Sequence, residues 1–460
     1  MPHWTPPVPV SSASQRYSFA YESTHTRWPK ILTGVVDELS KINGQLYEED
    51  KRANEDKVRE GKALIEKISQ LIYEIKTDKV LEPLEPTGYP DDSQHYNDEL
   101  SRSQGKTWFS VSWLLAECYL YRKLRGLFAT TRHWTQFDPF ASQKLSTWRS
   151  SGTSVAQLAE TMRQLVEKGQ VDAENEAELH RDFIVMFETM LWGNATDLSL
   201  LTSLTHEQIQ ELQSVERGRE FTLRDDLDQA WNYVKGFKGE RIDIVLDNSG
   251  FELFSDLILA DFLVTLTPYA SEVVIHPKLI PWFVSDVLPH DFEILLATLS
   301  DPGFFPDLSS SDLEAIKQLV ERWRRYVDEG KFKLSVPKDL KMGEDRDSRG
   351  AEFWTSPYPF SDLPLVAPEL LKELQRSKLV IFKGDLNYRK LVSDAWWDPA
   401  GSFDEALGPL RGQIDLLSLR TLKADTVVGL EKGTAERLDK EDDKWRVNGK
   451  YAVVSFSKRD

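Results

Sequence analysis

The sequence predicts an α/β protein: a layered, mostly parallel sheet with some antiparallel edges, preceded by a long helix-rich region. Two observations carry this. After about residue 230, short β-rich runs alternate with helical patterns, as strands joined by helical crossovers do. Before that point apolar residues recur at helical spacing, and strand signals are nearly absent. The chain has 460 residues, 40% hydrophobic and 11% aromatic with 14 Trp, which supports a sizeable core and argues against widespread disorder. The expected divisions are a flexible Pro-rich tail at 1–20, a helical domain at 21–230 and an α/β domain at 231–460.

Prolines at positions 2, 6, 7 and 9 make the start a loose tail, and with no basic n-region or apolar h-region it is not a secretory signal. Asp50–Ile75 carries Val58, Leu64, Ile65, Ile68, Leu71 and Ile72 at helical spacing amid dense Glu and Lys. Trp108–Leu124 sets Trp108, Val111, Leu115, Cys118 and Arg122 on one stripe. Helical patterns return at Val155–Lys168, Glu176–Leu191 and His206–Gln213. Arg241–Leu246 is a strand followed by a helix over Leu253–Leu266, and Glu272–His276 a second strand followed by a helix near Phe283–Leu299. Leu379–Phe382, Ile414–Leu419, Thr426–Leu430 and Tyr451–Phe456 read as later strands. Between these groups, 335–368 holds Pro337, Pro357, Pro359, Pro364 and Pro368 and reads as a long loop, a candidate lid.

Acidic residues number 75 and basic ones 57, a net charge of −18, so nucleic acid and anionic membrane are poor partners. No window approaches about 18 consecutive apolar residues, so no transmembrane helix is expected. The lone Cys118 excludes an internal disulfide and any multi-cysteine metal site. A monomeric, cytoplasmic protein is expected, nuclear presence being compatible with the composition.

Several motifs fail on inspection. Gly105-Lys106-Thr107 ends like a P-loop, but Leu100 stands where the first glycine belongs and no strand precedes it. His206-Glu207 begins like a zinc-protease helix, yet Gln210 replaces the second ligand. Asp247 lacks the second aspartate of the haloacid dehalogenase type, because Ser249 occupies that place. No glycine-rich run follows a strand, which weakens dinucleotide and S-adenosylmethionine binding.

In open α/β sheets ligands bind outside the carboxyl ends of the strands, so the segments just after each strand matter most. Asp247 and Asn248 project from the first strand and offer hard oxygen ligands suited to Mg²⁺ or Mn²⁺. The competing reading is turn chemistry, with Ser249 and Glu252 as a capping box. Asp286, after the second strand, is either a further carboxylate for the same site or a helix cap. Lys383-Gly-Asp-Leu-Asn-Tyr-Arg-Lys390 packs Asp385, Asn387, Tyr388 and Arg389 behind a strand, with Gly384 allowing the turn and a helix start aimed at an anion. Arg420 and Lys423 add cations. Glu117 and Arg122 read as a structural ion pair, and Gly193 as an αL helix end with Asn194 and Asp197 behind it.

Asp247-Asn-x-Gly-x-Glu252 with Asp256 and Asp261, Lys278-x-x-Pro-Trp-Phe-x-Ser-Asp286, and Lys383-Gly-Asp-Leu-Asn-Tyr-Arg389 together resemble the metal-dependent damage-control phosphatases. Arg420-Thr-Leu-Lys423 is similar to the mark of that family's third branch, called acidic-residue methyltransferase-like. The likeness runs from Trp108 nearly to the C-terminus, through Phe137-Asp-Pro-Phe-x-x-Gln-Lys144 and Trp192–Leu198.

The resemblance implies a three-layer α/β/α Rossmann-like sandwich with a helical N-terminal domain. It implies hydrolysis of small phosphate monoesters, sugar phosphates such as fructose 1-phosphate, with a divalent Mn, Ni, Co or Mg ion. By position Asp247, Asn248 and Asp286 would hold the metal, the two aspartates acting through its water. Glu252, Asp385, Leu386, Asn387, Tyr388, Arg389 and Lys423 would hold the sugar phosphate. Asp385 or Glu252 is the candidate general base; Glu117, Arg122, Asn194, Asp197, Lys383 and Arg420 are secondary candidates. The alternatives are an S-adenosylmethionine-dependent carboxyl methyltransferase and a non-catalytic sugar-phosphate-binding protein.

Overall fold

Ile242–Val245 and Leu379–Lys383 are buried throughout, as central parallel strands must be when helices cover both faces. The computed structural model describes residues 3–87, 92–169, 176–193, 219–342, 344 and 346–459. Among them, seven strands form one mixed sheet: β1 (Thr222–Asp225), β2 (Glu240–Val245), β3 (Ala270–His276), β4 (Phe332–Leu334), β5 (Leu379–Lys383), β6 (Leu416–Thr421) and β7 (Ala452–Ser457). The order is β1-β7-β6-β5-β2-β3-β4, and every pair is parallel except β6 with β7. The antiparallel pair thus lies inside the sheet, with β1 as its outer neighbour.

Three apolar clusters hold the molecule together. In the helical region α1 (Trp28–Asp50), α2 (Glu55–Lys76) and α3 (Trp113–Ala129) bury Trp28, Ile68, Trp113 and Tyr119. One sheet face carries α4 (Gly152–Lys168), α5 (Glu176–Trp192), α6 (Phe251–Thr265) and α7 (Ser310–Asp328). The other is covered by 351–367 and by α8 (Pro368–Leu374). The result is a helix–sheet–helix sandwich with a helical N-terminal region. Among the described residues, no helix is long and apolar enough to cross a membrane.

Several expectations change. Residues 3–20, expected as a flexible tail, lie docked. His3 Nδ1 meets Asp362 Oδ2 at 2.9 Å, Trp4 stacks on Trp397, and Val10 bridges Ala395. Prolines pre-set an extended backbone, so little further entropy is lost when it docks. The helical run at Asp50 breaks, α1 ending there and α2 starting at Glu55. The stripe from Trp108 becomes helical only at Trp113. The helix expected near Phe283 starts at Pro289, because Phe283 and Val284 have positive φ. Thr426–Leu430 is no strand: Arg420 donates to the carbonyls of Ala424 and Thr426 and curls the segment into an arc. The 335–368 stretch does not stand off as a lid. Phe353, Trp354, Phe360 and Leu363 are buried and form core against β2 and β5. The pattern at His206–Gln213 lies outside the described residues.

Candidate active site

Strand order builds the site. The chain steps from β2 to β3 and β4 on one side, then returns to place β5 and β6 on the other, so the order reverses between β2 and β5. A crevice opens outside the carboxyl ends at such a point. Asp247 follows β2 there, directly against Gly384, which opens α9 (Gly384–Leu391). Gly384 has φ of +85°, and a Cβ built on it would stand 2.0 Å from Asp247 Oδ2. Only glycine fits that approach.

Asn248 ties the first half of the site together. Its Nδ2 donates to Asp247 Oδ2 at 2.7 Å and to Glu252 Oε2 at 2.8 Å, while Ser285 Oγ donates to its Oδ1. Asn248 also bridges Asp286 through the backbone, and the Val287 N–H donates to the Asp247 carbonyl. Asp286 is therefore brought to Asp247, and it caps no helix. The expected capping box is absent too: Gly250, with φ of +69°, is the N-cap residue, and Glu252 turns into the site. The loop before Asp286 holds Val284 at φ +73°, a strain on the order of 1–3 kcal/mol for a non-glycine residue. Packing offsets it, for Phe283 stacks on Tyr121 of α3 at 4.8 Å.

The carboxylates are buried in excess of what balances them. Both oxygens of Asp286 lack a hydrogen-bond partner, and the nearest cation, Lys278 Nζ, is 3.4 Å away and donates to the Leu246 carbonyl. Burial raises the Asp286 carboxyl to about 6 despite Lys278. Burial, then the charges of Glu252 and Asp286, push Asp247 well above the usual carboxylate range. Lys383 lies between Asp256 at 2.8 Å and Glu252 at 3.2 Å and donates to the Met190 carbonyl; burial still lifts Asp256 to about 7. Lys423 is a further positive charge felt by Asp247. Buried carboxylate oxygens without partners are what a divalent cation satisfies, and Asp247, Asn248 and Asp286 form a hard-oxygen donor set that fits one. Two carboxylates and one amide make up that set. Among the described residues, no three His, Cys, Asp or Glu side chains gather to hold an ion by themselves.

The α9 residues divide. Burial pushes the Asp385 carboxyl upward, but the charges of Arg420 and Arg389 and the Lys423 N–H more than offset it, leaving it below the usual range. Asn387 donates to the carbonyls of Leu246 and Lys383, pinning β2 to α9, and leaves its buried Oδ1 unpartnered. Arg389 is not a free fork. Its NH1 meets Glu117 at 2.7 Å, its NH2 and Nε meet Asp394 at 3.0 and 3.2 Å, and its plane lies 3.7 Å from the Trp113 ring centroid. Tyr388 OH bonds the backbone of Val428, and Leu386 packs into the helical core. Arg420 is held by Asp385 and stacks over Tyr388. Arg122 pairs with Asp92 instead of Glu117. Asn194 and Asp197 lie outside the described residues. Gly193 is not in the αL region; it makes room for Ser255, whose Oγ would be 2.4 Å from an added Cβ. Lys278 and Asp256 complete the charge network without having been singled out as site residues, although Asp256 stands one helical turn after Glu252.

Comparison with known proteins places the whole chain in one family. A family model described as "Damage-control phosphatase ARMT1-like domain" matches residues 23–438. Relatives named "Damage-control phosphatase ARMT1" include those of Danio rerio, 34% identical with 98% of this chain and 97% of the relative covered, and Homo sapiens, 34% identical with 98% of each covered. That of Mus musculus is 33% identical, with 97% of each chain covered.

Proposed function

The chain belongs to the damage-control phosphatases, and from that premise we propose that it hydrolyses small sugar phosphates, fructose 1-phosphate among them, with a divalent ion at Asp247, Asn248 and Asp286. The class is a metal-dependent phosphoric monoester hydrolase. The unpartnered, buried Asp286 carboxylate beside Asp247 at the reversal of strand order is the observation that carries the reading. When bound, Mn²⁺, Ni²⁺, Co²⁺ or Mg²⁺ supplies Lewis acidity toward the phosphoryl group and an activated water.

The chain's own residues do the rest. Asn248 holds Asp247 and Glu252 in register, and the Lys278 ammonium, 3.4 Å from Asp286 and outside hydrogen-bond contact, partly offsets its charge. Lys423 and the backbone N–H groups at the start of α9 face developing phosphate charge. Among the described residues Asp385 uses only Oδ1 within the chain, toward Arg420 and Lys423, so Oδ2 is available to a sugar hydroxyl or as a base. Arg389, locked between Glu117 and Asp394, acts by fixing α9.

Phosphate release from a panel of sugar phosphates with each metal tests the reading. Asp247→Asn and Asp286→Asn should each lose at least about a thousandfold in metal-dependent rate while keeping the circular dichroism of the parent. Parental activity in either variant overturns the assignment.

A further inference from the structure

Trp396 is the one exposed tryptophan of the 14, at 37%, and Tyr17, on the wall of the same cavity, is fully exposed. Exposed apolar side chains gathered in one place mark an interaction site, where scattered ones do not. With Trp397 they line a cavity of about 320 Å³ between the docked N-terminal segment, the loop after α9 and the arc after β6. Small-molecule sites span roughly 300–1,000 Å³. Its side chains take no part in the active site.

The tryptophans are set before any ligand arrives. Trp396 Nε1 donates to Gln15 Oε1 and Trp397 Nε1 to the Val392 carbonyl, both at 2.8 Å, and Trp397 stacks on Trp4. Each indole has spent its single donor, so what it still offers is ring surface. Asp425 and Asp443 line the same cavity, and among the described residues neither is ion-paired. Asp425 uses Oδ2 on the Phe19 N–H at 2.7 Å and leaves Oδ1 free. The cation on the wall, Arg446, is taken by Asp439 and lies over the Trp445 ring. An adjoining hollow that shares Pro399 and Arg446 adds Glu431 and Glu436, again without ion pairs among the described residues. Ring faces are the negative side of the aromatic quadrupole, so rings and free carboxylates together attract a cation. A hydrated metal ion needs a shell of oxygens that ring faces do not supply. A weakly hydrated organic ammonium suits both kinds of wall.

We propose that this cavity binds a small aliphatic ammonium ion, its charged head against the rings of Tyr17 and Trp396 and beside Asp425 and Asp443. Quaternary amines and polyamines share that chemistry, and Glu431 and Glu436 stand where a polyamine's further charge would lie. Equilibrium dialysis of the full chain at physiological ionic strength, where long-range attraction is screened, tests this without turnover. Choline and spermidine are the probes, and 3,3-dimethylbutan-1-ol is the uncharged isostere of choline. Saturable binding of either probe should weaken at least about threefold in Tyr17→Leu and in Trp396→Leu, which keep an apolar side chain but lose the ring. Asp425→Asn combined with Asp443→Asn should weaken it as well, and the isostere should bind at least about threefold less tightly than choline. Tyr17 is fully exposed, so the fold survives its loss. Tighter binding of spermidine than choline identifies a polyamine, and the reverse order a quaternary amine. No saturable binding, an isostere bound as tightly as choline, or binding unchanged by both Leu substitutions overturns the proposal; the last result would leave only the general negative charge of the chain.

Discussion

At Gly384 the backbone and the Asp247 carboxylate compete for one volume, and the absent side chain resolves it. Ala at this position would add a Cβ 2.0 Å from Asp247 Oδ2 and would force an L-residue to φ +85°. The left-handed conformation alone costs roughly 1–2 kcal/mol, and a shift of about 1 Å in a ligand can cost about a hundredfold in rate. Gly384→Ala should therefore lose more activity than stability, read as kcat for phosphate release against the urea midpoint. A rate within threefold of the parent would show that Asp247 has room to move. The same residues mark what a linear reading reaches. Asp247, Asn248, Asp286 and Gly384 were visible because strand ends are set by local pattern, and ligands gather outside them. The engagement of Arg389 was not, since its partner Glu117 stands 272 positions away on another helix.

The Arg389 guanidinium is one of the contacts by which helix α3 joins the helical region to the sheet, beside the stack of Tyr121 on Phe283. Glu117 accepts from Arg389 and from Trp28 Nε1, and Trp113 lies under the Arg389 plane. Removing one member of a buried pair costs about 3–5 kcal/mol, because the remaining charge stays buried without its partner. Glu117→Ala should lower the unfolding free energy by that amount, read as a fall in the urea midpoint at constant m-value. Glu117→Gln, which keeps one of the two acceptor oxygens but not the charge, should lose less than Glu117→Ala. Equal losses would mean that the negative charge itself carries the contact, and no loss in either variant would mean that the helix is held by its apolar contacts alone. Elements were legible where periodicity is long: α4 and α5 lie within a residue or a few of their expected spans. Short edge strands such as β1 and β4, of four and three residues, carry too little pattern to separate from loops. Helix α7 escaped assignment although Ser309 and Asp312 form a capping box and Ala315, Ile316, Leu319, Val320 and Trp323 bury one face. Arg420 turns the Thr426–Leu430 run from strand to arc, a contact that its β-rich composition does not encode.

At the scale of the whole molecule, an acidic chain has folded several ionisable groups where water cannot screen them, and pH should expose this. Glu188 of α5 is buried, with Arg219 Nε 3.8 Å away; burial raises its carboxyl from 4.5 to about 8. The folded state then holds a proton that the unfolded chain has released, so stability falls as pH rises from about 4.5 to 8. Lys390 of α9 has the opposite sign. Buried and donating to the Ser356 carbonyl at 2.8 Å, it drops from 10.5 to about 8. Between those values the unfolded chain binds the extra proton, so stability rises with pH. Each group contributes a slope of at most about 1.4 kcal/mol per pH unit. Denaturation of the parent, Glu188→Gln and Lys390→Met in chelator should separate them. Parent minus Glu188→Gln should decline between pH 5 and about 8 and then level off. Parent minus Lys390→Met should stay level up to about pH 8 and climb above it. Two flat differences would show that both groups keep their ordinary proton affinities in the fold, and that the interior around them admits water.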